Sequence, residues 1–91
     1  MTTHSGLKLA DLRNVGKAAL KDFEVLGIAS VGQLAKEEPR DLYETLCALT
    51  DARHDPCVED VFAAAIHQAR TGEALDWWVF SRQRRQGAKG T

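Results

Sequence analysis

The sequence predicts a single all-α domain of about five short helices, and three observations predict it. A chain of 91 residues has the length of one domain. Its apolar residues recur at intervals of three and four, the spacing of a helix face, and nowhere in convincing strict alternation. Capping and helix-ending residues separate these stretches. We expect one domain over residues 1–91, with a core from about 7 to 85 and flexible ends at 1–6 and 86–91.

The first two predicted helices are joined by a tight turn. Leucines between residues 7 and 12 indicate a short helix that ends near Arg13. We expect Asn14-Val15-Gly16 to form the turn, because Asn and Gly adopt positive φ more easily than other residues. A second helix begins at Lys17 and ends before Gly27, a residue type common just past a helix C-terminus. Its inward side chains are predicted to be Ala18, Ala19, Leu20, Phe23 and Leu26.

Two further helices are predicted in the middle of the chain. Ser30 and Gln33 match a capping box, which predicts a short helix over residues 31 to about 36. Pro39 suits the first position of a fourth helix, which we expect to end around residue 49 or 50. Its apolar residues repeat at helical spacing: Leu42, Leu46 and Leu49.

The next predicted helix begins at an Asp-Pro pair. Asp55 suits the N-cap, Pro56 suits the first turn, and Gly72 ends the helix. We expect the Trp77-Trp78 pair to close the core with one ring inside and the other at a surface, although stacking on bases is an alternative. The apolar stripe of the helix comprises Val58, Val61, Phe62, Ala65, Ile66 and Ala69. Off this stripe, the side chains expected to face water are Glu59, Asp60 and His67.

Charged residues are distributed unevenly along the chain. The total of 12 Lys and Arg against 13 Asp and Glu gives a net charge of −1, which by itself argues against a nucleic-acid binder. Residues 8–21, however, contain four basic residues and one acid, while residues 37–60 contain two basic residues and eight acids. The tail has basic residues and no acid: Arg82, Arg84, Arg85 and Lys89. This distribution permits DNA binding, although solvated faces also explain such charge runs.

The predicted turn and the helix after it have the chemistry of a phosphate-binding corner. The first amides of a helix lack intrahelical acceptors and carry partial positive charge, so they suit phosphate oxygens. Lys17 and Lys21 add charge on one face. Such contacts hold a nucleic-acid backbone without reading its bases. The predicted DNA-binding residues are Arg13, Asn14, Val15, Gly16, Lys17 and Lys21, with Arg82, Arg84 and Arg85 as auxiliary contacts.

The segment Leu12–Ala18 resembles the helix-hairpin-helix motif. The common form of that motif is a hydrophobic residue, Pro, Gly, a hydrophobic residue and Gly. Here Arg13 stands where Pro is usual, and Asn14 stands where the first Gly is usual. We expect the turn to survive, because Asn tolerates the left-handed conformation, and to be less rigid without Pro.

Other segments extend the resemblance over almost the whole chain, from roughly residue 9 to residue 85. They are Asp41-Leu42-Tyr43-Glu44 leading to Leu46-Cys47, then His54-Asp55-Pro56-Cys57-Val58, and then Trp77-Trp78 before the basic tail. Together with the turn they are similar to a small bacterial family of helix-hairpin-helix proteins, of pathogenicity-locus or mitomycin-resistance type. The resemblance implies a helix-hairpin-helix fold and DNA binding.

Cysteine and histidine side chains raise the question of an enzyme or a metal site. Cys57 stands in the first turn of a predicted helix, a position that favours the reactive thiolate, but it also suits a small structural residue beside Cys47. A zinc site would need Cys47, His54, Cys57 and His67 in tetrahedral geometry, and the spacing of the two cysteines is not that of a zinc knuckle. We predict no catalytic residue, no metal and no cofactor.

These observations predict a small DNA-binding module, not an enzyme, with weak and non-sequence-specific contacts to the phosphate backbone. The alternative is a protein-interaction or scaffold domain that keeps the helix-hairpin-helix fold without binding DNA, its acidic residues 37–44 meeting a basic protein partner. No apolar run approaches the ~20 residues that span a bilayer, so no membrane partner is expected. The polar N-terminus and two cysteines indicate the cytoplasm.

Overall fold

Five α-helices and one short 3₁₀ turn make up the described part of the chain. The structure, a computed structural model, describes residues 8–89, with side chains described for residues 8–83. After the 3₁₀ turn Leu9–Asp11, the helices are α1 (Lys17–Leu26), α2 (Val31–Ala35), α3 (Pro39–Thr50), α4 (Cys57–Thr71) and α5 (Trp77–Lys89). Residues 8–89 contain no strand, and the predicted all-α class is confirmed.

Helix α4 is the centre of the packing. Helices α2, α3 and α5 all lie against it, and α1 packs against α3. Phe23 of α1 and Phe62 of α4 are fully buried, and their ring centroids are 5.6 Å apart. Because large aromatic side chains dominate the burial in a small core, this pair joins α1 firmly to α4. The same core includes Leu12, Val15, Ile28, Val31, Leu34, Leu42, Leu46 and Ile66.

The predicted helix ends are confirmed where local chemistry sets them. Gly27 and Gly72 follow α1 and α4 with φ of 77° and 83°, a left-handed conformation that glycine adopts without steric cost. The Ser30 Oγ accepts a hydrogen bond from the Gln33 N–H at 3.1 Å, as the capping box predicts. Helix α4 begins at Cys57 with Pro56 at its N-cap, one residue later than predicted, and the Asp55 carboxylate accepts the Cys57 N–H at 2.9 Å.

Helix α5, which the sequence pattern did not predict, runs from Trp77 to Lys89. It covers a face of α4 that was expected to meet water. Asp60 is 2% exposed, because α5 packs along α4 and its Phe80 shares the lining of a small cavity with Asp60. The prediction that Asp60 and Glu59 face water is therefore wrong.

Three other side chains differ from the sequence prediction. Ala18, expected to face inward from α1, is exposed. Leu49, predicted as the third apolar residue of α3, lies in the last turn of that helix and is 60% exposed. The helix ends there because Asp51 has a positive φ of 53°. His67, predicted to be exposed, is half-buried, since its ring centroid lies 5.7 Å from that of Phe80 and its Nε2 lies 2.8 Å from Glu73 Oε1.

Candidate functional site

Residues 12–17, here called the corner, connect the 3₁₀ turn to α1. Leu12 and Val15 are buried, and the Val15 N–H donates to the Leu12 carbonyl at 3.1 Å. Gly16 and Lys17 lie on the exposed side. Two apolar side chains therefore anchor the corner to the core, while the residues at the start of α1 are exposed.

Asn14 joins the corner to the N-terminus of α5. Its Nδ2 donates to the Leu75 carbonyl at 2.7 Å, and its Oδ1 accepts from the Trp77 N–H at 3.1 Å. Asn14 was predicted for its tolerance of positive φ, and this reason is wrong: the one non-glycine residue with positive φ in residues 8–89 is Asp51. Gly16 has a φ of −105°. The amide side chain of Asn14, not its backbone, shapes the corner.

Arg13 is held by two contacts with the other end of the described chain. Its backbone N–H donates to Gln68 Oε1 at 2.8 Å, and its Nε donates to Asp76 Oδ1 at 2.6 Å. The Arg13 side chain is 55% exposed, so this ion pair is a surface pair of about 0–1 kcal/mol. Sequence reasoning missed Gln68 and Asp76, because they follow Arg13 by 55 and 63 residues and no local spacing connects them.

The N-terminus of α1 is uncapped. Its N-cap residue is Gly16, which has no side chain to accept an amide, and its first turn contains no acidic residue. The first amides of a helix have no intrahelical acceptor, and the residues that carry them here, Lys17 and Ala18, are exposed. A Cβ built on Gly16 would meet no atom within 4 Å. The backbone here is therefore open to the approach of an external acceptor.

Lys17 and Lys21 lie one helical turn apart and are both exposed. The ion pairs formed among the described side chains involve other residues and leave both ammonium groups unpaired there. Residues at this spacing share a helix face. The structure thus brings together two of the predicted basic residues with the uncapped amides, whereas the Arg13 charge is directed at Asp76.

A cavity of about 190 Å³ lies between α1 and α4, directly behind the corner. Asp22 is its one acidic lining residue, and burial raises the pKa of the Asp22 carboxyl above the ordinary 3.8, against smaller opposing effects of His54 and Lys21. The remaining lining residues are Asn14, Gly16, Ala18, Ala19, Val58, Val61 and Phe62. The cavity is apolar apart from Asn14 and this carboxyl, so it offers little to hold a phosphate.

The start of α5 brings aromatic and basic side chains close to the corner. Trp78 is 51% exposed and Trp77 is half-buried, which agrees with the expected division of the pair. Arg82 is exposed and follows Trp77 by five residues, about 7.5 Å along the helix axis. Arg84 and Arg85 lie on the helical backbone of α5, but their side chains lie outside the described residues. Their predicted auxiliary contacts stay predictions.

The cysteine and histidine side chains form local contacts. The His54 N–H donates to Cys47 Sγ at 3.5 Å, and His54 Nε2 lies 2.9 Å from Thr50 Oγ1. Cys57 is half-buried, and both cysteines are thiols. Among the side chains that the structure describes, no three from His, Cys, Asp and Glu are grouped so as to hold a metal ion. His67 lies beside Glu73 instead of joining the other three candidate ligands.

The acidic middle of the chain is only partly neutralised. Arg40 lies 3.8 Å from Glu44 and 3.9 Å from Glu59, and Arg70 lies 3.3 Å from Glu38. Arg70 also donates to the carbonyls of Ala35 and Glu37 at 2.7 and 2.8 Å. Its main contribution is therefore to fix the α2–α3 connection, and the surface around it remains acidic overall.

Comparison with known proteins gives two matches. The family model described as "Cdd1: Pathogenicity locus" matches residues 2–86. The chain is also 36% identical over 86 residues to "Mitomycin resistance protein McrB" of Streptomyces lavendulae, covering 94% of this chain and 82% of that protein. No solved structure matches. Within residues 8–89, no helix has the length and apolar character needed to cross a membrane.

Proposed function

The chain belongs to the Cdd1 pathogenicity-locus family, whose description names a locus and not an activity, and we propose from the corner that it is a small DNA-binding module. It holds the phosphate backbone without reading sequence. The observation that carries the proposal is the pairing of an uncapped helix N-terminus with two exposed lysines one turn apart, Lys17 and Lys21. We assign the segment Leu12–Ala18 as a helix-hairpin-helix turn, with α1 as its second helix.

The open amides of α1 support an anionic ligand. Backbone N–H groups and the helix macrodipole together favour a phosphate at a helix N-terminus. Gly16 leaves this end uncapped, and a Cβ there would meet nothing within 4 Å. A phosphate oxygen therefore has both donors and access.

The stability of α1 does not explain the lysine in its first turn. A cation near a helix N-terminus is opposed by the macrodipole, and Lys17 is the first residue of the helix. A phosphate bound at this helix end would attract the Lys17 ammonium and so offset the repulsion from the macrodipole. Lys21 on the same face extends the positive surface along the helix.

The corner has its shape before any ligand binds. In place of the usual Pro, Arg13 contributes a backbone N–H that donates to Gln68 Oε1. Asn14 contributes two further hydrogen bonds to the start of α5. A preorganised site loses less entropy on binding, so these contacts take over the rigidity that Pro supplies in the common motif.

Fluorescence anisotropy with a labelled duplex at several salt concentrations tests the proposal. Because each neutralised phosphate contributes a slope of about 0.9 to the salt dependence, two or three contacts predict weak binding with a slope of about 2–3. Lys17→Glu/Lys21→Glu should abolish binding, and a Glu in the first turn suits the helix dipole, so this variant should fold. Lys36→Glu/Arg53→Glu, at two other exposed positions, makes the same charge change and should retain more affinity. Unchanged affinity in the Lys17/Lys21 variant contradicts the proposal.

The name of the relative supplies a cellular measurement. We extend the mitomycin resistance in that name to this chain and expect its loss to lower survival on mitomycin. The unaltered protein should restore survival, and Lys17→Glu/Lys21→Glu should not. Equal rescue by the unaltered protein and the variant would show that mitomycin resistance does not depend on the corner.

A protein-interaction or scaffold domain is the second candidate. It is favoured by the acidic surface of α3, where Asp41 and Glu44 are exposed, and by Leu49, an apolar side chain that is exposed on the same helix. This candidate predicts no DNA binding at low salt and a discrete protein partner in a pull-down. Loss of that partner in Asp41→Lys/Leu49→Ser, with Lys17→Glu/Lys21→Glu unaffected, would favour it over the corner.

A further inference from the structure

A small cavity opens at the start of α5, next to the contact between α5 and the corner. Its volume is about 190 Å³, and its lining residues are Trp77, Trp78, Ser81 and Arg82. Pockets for drug-sized ligands are larger, about 300–1,000 Å³. The cavity therefore suits one small flat ring system.

Ser81 borders this cavity but is itself buried. The residue is 2% exposed, and its Oγ has no hydrogen-bond partner among the described residues. A serine inside a helix commonly donates to the carbonyl four residues before it, and burying a hydroxyl without a partner is costly. The Oγ is buried, so a ligand in the cavity would meet the neighbouring aromatic and guanidinium groups instead.

Trp78 provides an exposed aromatic face. It is 51% exposed, which is unusual for the largest apolar side chain in a small protein. Trp77 meets it edge to face, with ring centroids 5.9 Å apart and an interplanar angle of 78°, a preferred aromatic geometry. Its ring is therefore oriented and open to stacking.

Arg82 adds a positive charge at the rim of the cavity. It lies one turn after Trp78, is exposed, and takes part in none of the ion pairs formed within residues 8–83. Arginine binds phosphate oxygens well, because its planar fork can donate two hydrogen bonds at once. An aromatic face and a guanidinium thus border one ring-sized space.

We propose that this cavity binds one unpaired base of single-stranded DNA, stacked on Trp78, with a neighbouring phosphate at Arg82. Because the Trp77 N–H donates to Asn14 Oδ1, the cavity adjoins the corner and one strand reaches both. The bases of a duplex are stacked and paired and do not enter. The inference rests on the proposed function and adds to it a preference for DNA with unpaired bases over duplex DNA.

Three labelled probes of about 12 nucleotides, within the site sizes of single-strand binders, separate the contributions. They are oligo(dT), an abasic oligomer with the same phosphates, and a duplex. We expect the full chain to bind oligo(dT) about ten-fold more tightly than the abasic oligomer, because base–aromatic stacking has that strength. Trp78→Ala should remove the difference without weakening duplex binding, and Trp78→Phe should keep it. Leu49→Ala, which also truncates an exposed apolar side chain, is the control.

Ser81→Ala is a second control, because the buried Oγ does not meet a ligand in the cavity. It should leave oligo(dT) binding unchanged, while the melting temperature stays equal or rises because an unsatisfied buried hydroxyl is removed. Equal affinity for oligo(dT) and the abasic oligomer, or an unaltered preference in Trp78→Ala, overturns the cavity assignment and leaves the proposed function in place. Absence of binding to all three probes overturns both.

Discussion

Asn14 caps a helix that begins 63 residues later, since its Oδ1 accepts the Trp77 N–H at 3.1 Å. Its Nδ2 donates to the Leu75 carbonyl at 2.7 Å. One amide side chain therefore fixes both the connection before α5 and the first turn of α5. The consequence is that the corner and the cavity beside Trp78 share a single support, so a change at Asn14 affects both.

Asn14→Ala should destabilise the protein by about 1–2 kcal/mol, because α5 loses its cap and the Leu75 carbonyl loses a donor. Asn14→Gly should cost at least as much, since the amide and not the backbone is needed. Asn14→Asp keeps the acceptor for Trp77 and should lie between. Urea unfolding measures all three. A fully stable Asn14→Gly variant would show that the backbone conformation at this position, and not the amide side chain, is what the fold requires.

Gly16→Ser should raise stability by a few tenths of a kcal/mol and lower DNA affinity. The hydroxyl would cap an amide of α1 that glycine leaves open, and the same amide would then be withdrawn from a phosphate. Gly16→Ala is the matched control, because its Cβ enters open space and supplies no cap. Unfolding and anisotropy on both variants decide the matter. Equal affinity in the serine and alanine variants would show that the amides are not used.

Asp76→Asn should strengthen DNA binding a few-fold, because it releases the Arg13 guanidinium from its ion pair at 2.6 Å and removes a negative charge beside the corner. Arg13→Gln should weaken binding. Asp41→Asn, at an exposed acid on α3, controls for the change in net charge. For stability, a double-mutant cycle on the pair should give a coupling of about 0.2–1 kcal/mol. If Asp41→Asn strengthened DNA binding more than Asp76→Asn, the result would show that Arg13 does not contact DNA.

Asp22→Asn should stabilise the protein at neutral pH. Burial raises the pKa of the Asp22 carboxyl above 3.8, so the folded state holds that proton more tightly than the unfolded state does. The stabilising contribution is therefore present below pH 3.8 and is lost as the pH rises through the raised pKa. Urea unfolding should show a gain for Asp22→Asn at pH 7 that shrinks toward pH 3.8 and below. Glu24→Gln, exposed on the same helix, should show no such trend.

Helix positions were predictable because short-range chemistry determines them. Gly27 and Gly72 end their helices with positive φ, and Ser30 with Gln33 caps α2; each of these signals lies within a few residues of the end that it marks. Of the candidate site, Lys17 and Lys21 were predictable for the same reason, since helical periodicity alone places them on one face.

The roles that were missed depend on contacts between distant parts of the chain. Asp60 is buried because α5 packs along α4. The spacing of apolar residues within α4 does not predict that another helix packs on this face. Asn14 pairs with Leu75 and Trp77 across 61 and 63 residues. The sequence around Asn14 indicated a turn, and this local explanation left no reason to look for hydrogen bonds to distant residues.

The hydrogen bonds of Arg13 and Asn14 to residues 68–77 also determine when the corner takes shape during synthesis. A ribosome releases the N-terminal end first, so Lys17 and Lys21 emerge while Gln68, Leu75 and Trp77 are still untranslated. Contacts across 55–63 residues close large loops and form late. A nascent or truncated chain therefore carries the charge of the corner without its geometry, and the site matures only after the start of α5 has docked.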